Sequence, residues 1–184
     1  DIIGRRRLDT HYLALGALGI RQGRDPFELV RGRLHGADIL LDEASVTATE
    51  NAMMAACLAR GTTILFPAAC EPHVADLGGL LIKMGARIER LGTNRIVVRG
   101  VRRLHGASHR PDVDTTEIGS YLAAAAVTGG SLDISLPRKP RWWPVVDRGL
   151  RRFGLHGRVE GRRLLLPPAP ELQIHSESSD PVPS

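Results

Sequence analysis

Three consecutive arginines, Arg5-Arg6-Arg7, stand directly before a segment that reads as a helix from Leu8, with Asp1 and Asp9 on either side. Positive charge at a helix start opposes the macrodipole. The placement becomes favourable when an anion sits there, because guanidinium groups and unpaired helix N–H groups can converge on one phosphate. Without an anion the run is a solvated basic loop. Asp1 and Asp9 could exchange protons or bind hydroxyl groups, and their plainer roles are surface solvation and helix capping. A second helix start offers the same chemistry: Ser45 and Thr47 can each cap an Ala-rich helix, and Thr47 and Glu50 have capping-box spacing. Its free N–H groups could also receive an anion. His105 and His109 are four residues apart but lie in a Gly-containing connection with no Glu or third ligand nearby, so no zinc site is expected. No nucleophile elbow, Walker loop or GxGxxG is present, and no metal or cofactor is expected.

These groups depend on a regular run of helices and strands. Leu8 to Leu18 reads as a helix with Leu8, Tyr12, Leu15 and Leu18 along one face and Gly19 at its end. Ile20 to Gly23, a turn at Arg24-Asp25-Pro26 and a strand Phe27 to Arg31 come next. Ala37 to Leu41 is a short apolar strand, and the turn at Asp42-Glu43 leads to the second helix start. The Ala- and Met-rich stretch Ala52 to Ala59 suits a closely packed helix ended by Gly61, before Thr62 to Phe66 resumes as a strand. Pro72 to Met84 predicts a helix burying Val74, Leu77, Leu80, Leu81 and Met84. Arg87 to Arg90 and Arg95 to Arg99 predict a hairpin turning at Gly92-Thr93-Asn94.

The pattern then recurs. Val30-Arg31-Gly32 through Leu34-His35-Gly36-Ala37 returns as Val98-Arg99-Gly100 through Leu104-His105-Gly106-Ala107, about 70 residues on. A helix Asp114 to Thr128, with Asp114 and Glu117 again at capping-box spacing, returns the helix that Gly61 ends, and Ser131 to Ser135 returns the strand. Met84-Gly85-Ala86 has counterparts in Leu18-Gly19-Ile20 and Phe153-Gly154-Leu155. The unit is strand, helix, strand, helix and two more strands, in about two and a half copies. Trp142-Trp143, between Pro140 and Pro144, reads as packing at a helix start.

Composition narrows the partners. The chain has 184 residues, 42% of them hydrophobic, enough for a packed core. Twenty-five Lys and Arg against 20 Asp and Glu give a net charge of +5, nearly all of it arginine, which points to phosphate-bearing partners. With 4% aromatic residues, base-stacking nucleic-acid surfaces are disfavoured. No apolar run reaches the ~18 residues of a membrane span. Cys57 and Cys70 are too few for a disulfide scaffold and fit a reducing cytoplasm. A start at Asp1 and a repeat out of phase at both ends suggest a piece of a longer chain.

Four segments together carry a resemblance: Asp1-Ile2-Ile3-Gly4-Arg5-Arg6-Arg7-Leu8-Asp9-Thr10-His11; Ser45-Val46-Thr47-Ala48-Thr49-Glu50-Asn51; Glu71-Pro72 with Asp76-Leu77; and Asp114 to Leu122. In order, over about residues 1 to 165, the chain resembles the bacterial UDP-N-acetylglucosamine enolpyruvyl transferases, of the same superfamily as the shikimate-pathway enzyme. The resemblance implies an α/β fold, an inside-out α/β barrel of two lobes with pseudo-threefold repeats. Residues 1–112 would be the later part of the first lobe, 113–166 one unit of the second, and 167–184 a Pro- and Ser-rich connection or disordered end.

It also implies a cytoplasmic bacterial enzyme of peptidoglycan synthesis that moves the enolpyruvyl group of phosphoenolpyruvate to the 3-hydroxyl of UDP-N-acetylglucosamine. Its implied partners are those two substrates and the remainder of the two-lobed protein, with neither nucleic acid nor membrane. Asp1 would hold the place of the usual cysteine as general acid, implying resistance to fosfomycin. Arg6, Leu8, Asp9 and Thr10 would hold uridine and diphosphate, with Ser45, Val46 and Thr47 on the same UDP portion. Arg7 stands for the usual proline and Thr47 for the usual glycine. The family's N-terminal Lys–Asn pair, an early arginine and later second-lobe groups have no counterpart, so the 184 residues alone are expected to be inactive and at best a weak uridine-nucleotide binder. Two alternatives are the shikimate enzyme and a non-catalytic module using the arginine surface for nucleotides or nucleic acid.

Overall fold

The computed structural model describes residues 8–25, 28–140, 142–168 and 172. These form two compact units, divided between Pro111 and Asp112.

The first unit begins with helix α1 (Asp9–Ala17) and the antiparallel pair β1 (Ile20–Gln22) and β2 (Leu29–Arg31), in which Ile20 faces Arg31 and Gln22 faces Leu29. A complete repeat comes after them: β3 (Asp38–Leu40), α2 (Val46–Ala56), β4 (Thr62–Phe66), α3 (Pro72–Lys83), β5 (Arg87–Glu89) and β6 (Ile96–Arg99). Its four strands form one mixed sheet in the order β3-β4-β6-β5. The β3–β4 pair is parallel, with Ile39 opposite Leu65, because the α2 crossover returns the chain to the same end; β6 runs antiparallel to both β4 and β5.

The Ala-rich composition of α2 explains its place. Ala48, Thr49, Ala52, Met53 and Ala56 are all fully buried, since small side chains let neighbouring elements approach closely. The core around them gathers Leu18 from the end of α1, Ile39, Leu65, Ile96 and Val98 from the sheet, and Val74 and Leu81 from α3. Burial of each large side chain contributes about 1.5–3 kcal/mol. Helix α3 buries Val74 and Leu81 and packs Leu77 and Met84 at the core margin, while Leu80, expected on the same face, is half-buried and lies outside that cluster. The hairpin turn is held by Thr93, whose hydroxyl donates to the Arg90 carbonyl at 2.8 Å, and by Arg90 and Gly92 at φ of 64° and 75°.

The repeat is visible in backbone detail. The His35 N–H donates to the Leu18 carbonyl at 3.2 Å, and the His105 N–H donates to the Met84 carbonyl at 2.9 Å. In each case the imidazole lies over a glycine that ends the preceding helix, Gly19 at φ +92° and Gly85 at φ +100°, where a side chain would be strained and would meet the ring.

The second unit comprises α4 (Thr115–Val127), β7 (Leu132–Ser135), α5 (Trp143–Arg151), β8 (Arg158–Glu160) and β9 (Arg163–Leu166), with the sheet order β7-β9-β8, antiparallel throughout. Its core packs Ile118, Leu122, Leu155, Leu164 and Leu166 around Trp143. Trp143 meets Trp142 edge to face at 6.4 Å, at the start of α5 as expected.

Two expectations need correction. The repeat unit opens on a strand, but residues 107–113 form none, so the copy in the second unit has only its last five elements. The cap of α2 is Ser45, whose extended backbone (φ −71°, ψ 125°) precedes the helix. Thr47 is its second residue, so no Thr47–Glu50 capping box forms. A Ser side chain at the last extended position reaches the Ala48 N–H, which a residue already wound into the helix does not do. Among the described residues the sheets are open and no barrel closes, and no helix is long and apolar enough to cross a membrane.

Candidate functional site

Both helix starts singled out from the sequence belong to the first unit, and side-chain hydrogen bonds join them. Thr10, 4% exposed in the first turn of α1, donates its hydroxyl to the Asp42 carboxylate at 2.5 Å, with Glu43 Oε1 at 3.4 Å. Asp42 and Glu43 form the turn that delivers the chain to Ser45. One residue further along α1, His11 lies against α2: its Nε2 is 3.1 Å from Thr47 Oγ1 and its Nδ1 is 3.0 Å from Asn51 Nδ2. Both ring nitrogens of His11 thus have side-chain partners on α2.

Local sequence explains each start. At α2, the Ser45 carbonyl accepts from the Thr49 N–H at 3.0 Å and from the Thr49 hydroxyl at 2.7 Å, while Ser45 Oγ accepts from the Ala48 N–H at 3.4 Å. Thr49, fully buried, also accepts from the Ala69 N–H at 3.1 Å, which ties the helix start to the loop following β4. At α1 the residue before the helix is Leu8, whose side chain makes no cap. Two helix N-termini with few side-chain caps thus come together, each a cluster of backbone donors with partial positive charge. Such a face suits an anion.

Leu8, Asp9 and Thr10 sit on one start, with Leu8 and Asp9 exposed and Thr10 buried; Ser45 and Val46 are half-buried and Thr47 is exposed on the other. Asp1 and Arg6, together with Arg5 and Arg7, lie outside the described residues. His11 and Asn51 were not singled out from the sequence. Their link spans 40 residues and the His11–Thr47 link 36, and no local spacing signals such a pairing.

The other reactive groups lie away from this face. Cys57 is buried, and desolvation pushes its thiol up to about 11, which leaves it protonated and inert at neutral pH. His109 Nε2 is 3.2 Å from Asp76 Oδ2 on α3. Among the described residues no group of three or more His, Cys, Asp or Glu is arranged to hold a metal ion.

The sequence pattern of EPSP synthase (3-phosphoshikimate 1-carboxyvinyltransferase) matches residues 1–138. The UDP-N-acetylglucosamine 1-carboxyvinyltransferase of Treponema denticola is 46% identical over 184 residues, all of this chain and 43% of that protein. The protein of the same name from Bradyrhizobium diazoefficiens is 44% identical over 184 residues, covering 42% of its length. The chain therefore spans less than half the length of these relatives. Among solved structures, the enolpyruvyl transferase NikO of Streptomyces tendae superposes with a TM-score of 0.75 at 22% identity, over 92% of this chain and 44% of that one. EPSP synthase of Acinetobacter baumannii gives 0.61 at 20% identity, over 88% of this chain and 38% of that one. The structural likenesses speak for the mixed α/β fold alone. The match over residues 1–138 places this chain in the EPSP synthase (3-phosphoshikimate 1-carboxyvinyltransferase) family.

Proposed function

We propose that this chain is part of an enzyme that transfers the carboxyvinyl group of phosphoenolpyruvate to the 3-hydroxyl of UDP-N-acetylglucosamine in peptidoglycan synthesis, in the bacterial cytoplasm. The joining of the α1 and α2 starts carries this reading, because it gathers Leu8, Asp9 and Thr10 with Ser45, Val46 and Thr47 on one donor-rich face. On that face the backbone N–H groups receive the diphosphate, and Arg6 supplies charge. The names of the relatives from Treponema denticola and Bradyrhizobium diazoefficiens support UDP-N-acetylglucosamine as the acceptor. Residues 1–112 belong to the later part of one lobe and 113–166 to one unit of the other. The rest of the two-lobed protein supplies the remaining substrate groups, and the 184 residues alone turn nothing over.

Asp1 is the proposed general acid toward the enol carbon. A carboxyl serves there when a closed site raises its pKa, and it is a far poorer nucleophile than a thiolate. The full-length enzyme is then insensitive to fosfomycin. Rapid alkylation of Asp1, read by mass spectrometry of the intact protein, would contradict this assignment.

The matched family bears the name of the shikimate-pathway enzyme, which makes shikimate 3-phosphate the competing acceptor. Titration of the chain with UDP-N-acetylglucosamine, shikimate 3-phosphate and a single-stranded oligonucleotide at two salt concentrations separates the readings. Saturable binding of the UDP-sugar is expected. A preference for the oligonucleotide that collapses steeply with salt would mark a nucleic-acid surface instead.

A further inference from the structure

We draw no further inference here: the strongest candidate, the edge that β7 leaves unpaired among the described residues of the second unit, with Leu132 and Ile134 half-buried along it, is an apolar edge in a chain that spans less than half the length of its relatives, and nothing in the structure shows what covers it.

Discussion

Thr10 and Asp42 are 32 residues apart in sequence and 2.5 Å apart in space, and their hydrogen bond fixes the start of α1 to the turn that introduces α2. The donor is almost fully buried while the acceptor carboxylate is exposed. Thr10→Val should therefore lower stability by about 1–2 kcal/mol, the value of a hydrogen bond to a charged group, less what Asp42 recovers from water. It should also weaken UDP-N-acetylglucosamine binding, since the two helix starts are no longer held together. Urea denaturation and a ligand titration measure the two effects; an unchanged midpoint would show that the link contributes nothing.

At Ser45 stability and binding should part company. Its side chain reaches the Ala48 N–H at 3.4 Å, a long contact, so Ser45→Ala should cost only about 0.5–1 kcal/mol. Ser45→Asp places negative charge at a helix start whose first turn has no acidic residue, and should add about 0.3–1 kcal/mol of stability at low salt. The same charge repels a diphosphate. A variant that is more stable yet binds UDP-N-acetylglucosamine more weakly is the expected outcome, and tighter binding would argue against the nucleotide on this face.

Thr63 lies fully buried as the second residue of β4, and its hydroxyl has no hydrogen-bond partner among the described residues. The desolvation cost of such a group is about 1–3 kcal/mol. Thr63→Val keeps the β-branched shape that suits a strand and removes the orphan oxygen. Its melting temperature should rise by about 2–4 °C per kcal/mol gained; a fall would reveal a partner for the hydroxyl.

Cys57 gives stability a dependence on alkaline pH. Its thiol is held neutral in the folded core at about 11 against 9.0 in a free chain, because burial penalises the thiolate. The folded state therefore keeps a proton that the unfolded chain releases above pH 9. This contribution is complete below pH 9 and is lost as pH rises through about 11, at up to ~1.4 kcal/mol per pH unit. Cys57→Ala should flatten that part of the profile, which denaturant unfolding at pH 8 to 11 can follow.

Much of the fold was legible because it is written in local chemistry. Glycines at the helix ends, the alternation in residues 87–99 and the Ala-rich run of α2 each specify a conformation within a few residues, and the duplicated Leu-His-Gly segments exposed the repeat. The cap of α2 was ambiguous for a physical reason: Ser45 and Thr47 are both good caps, and only the fold decides which backbone turns helical first. The missing strand at 107–113 had no local signal, since strand formation depends on a partner edge. The candidate site was half legible. Its helix starts could be found from residue types, but the Thr10–Asp42 and His11–Asn51 contacts depend on how α1 settles on α2, which sequence spacing does not encode.

The single oxygen of Thr49 does two jobs, donating to the Ser45 carbonyl and accepting from Ala69. It works as a rivet between the start of α2 and the loop at Ala69. The start of α2 cannot swing without dragging the loop at residue 69, and that loop leads directly into α3, which begins at Pro72. A partner arriving at residues 45–47 meets a surface that is already set and loses little to ordering it. Affinity at such a surface is decided by the fit of donors to acceptors.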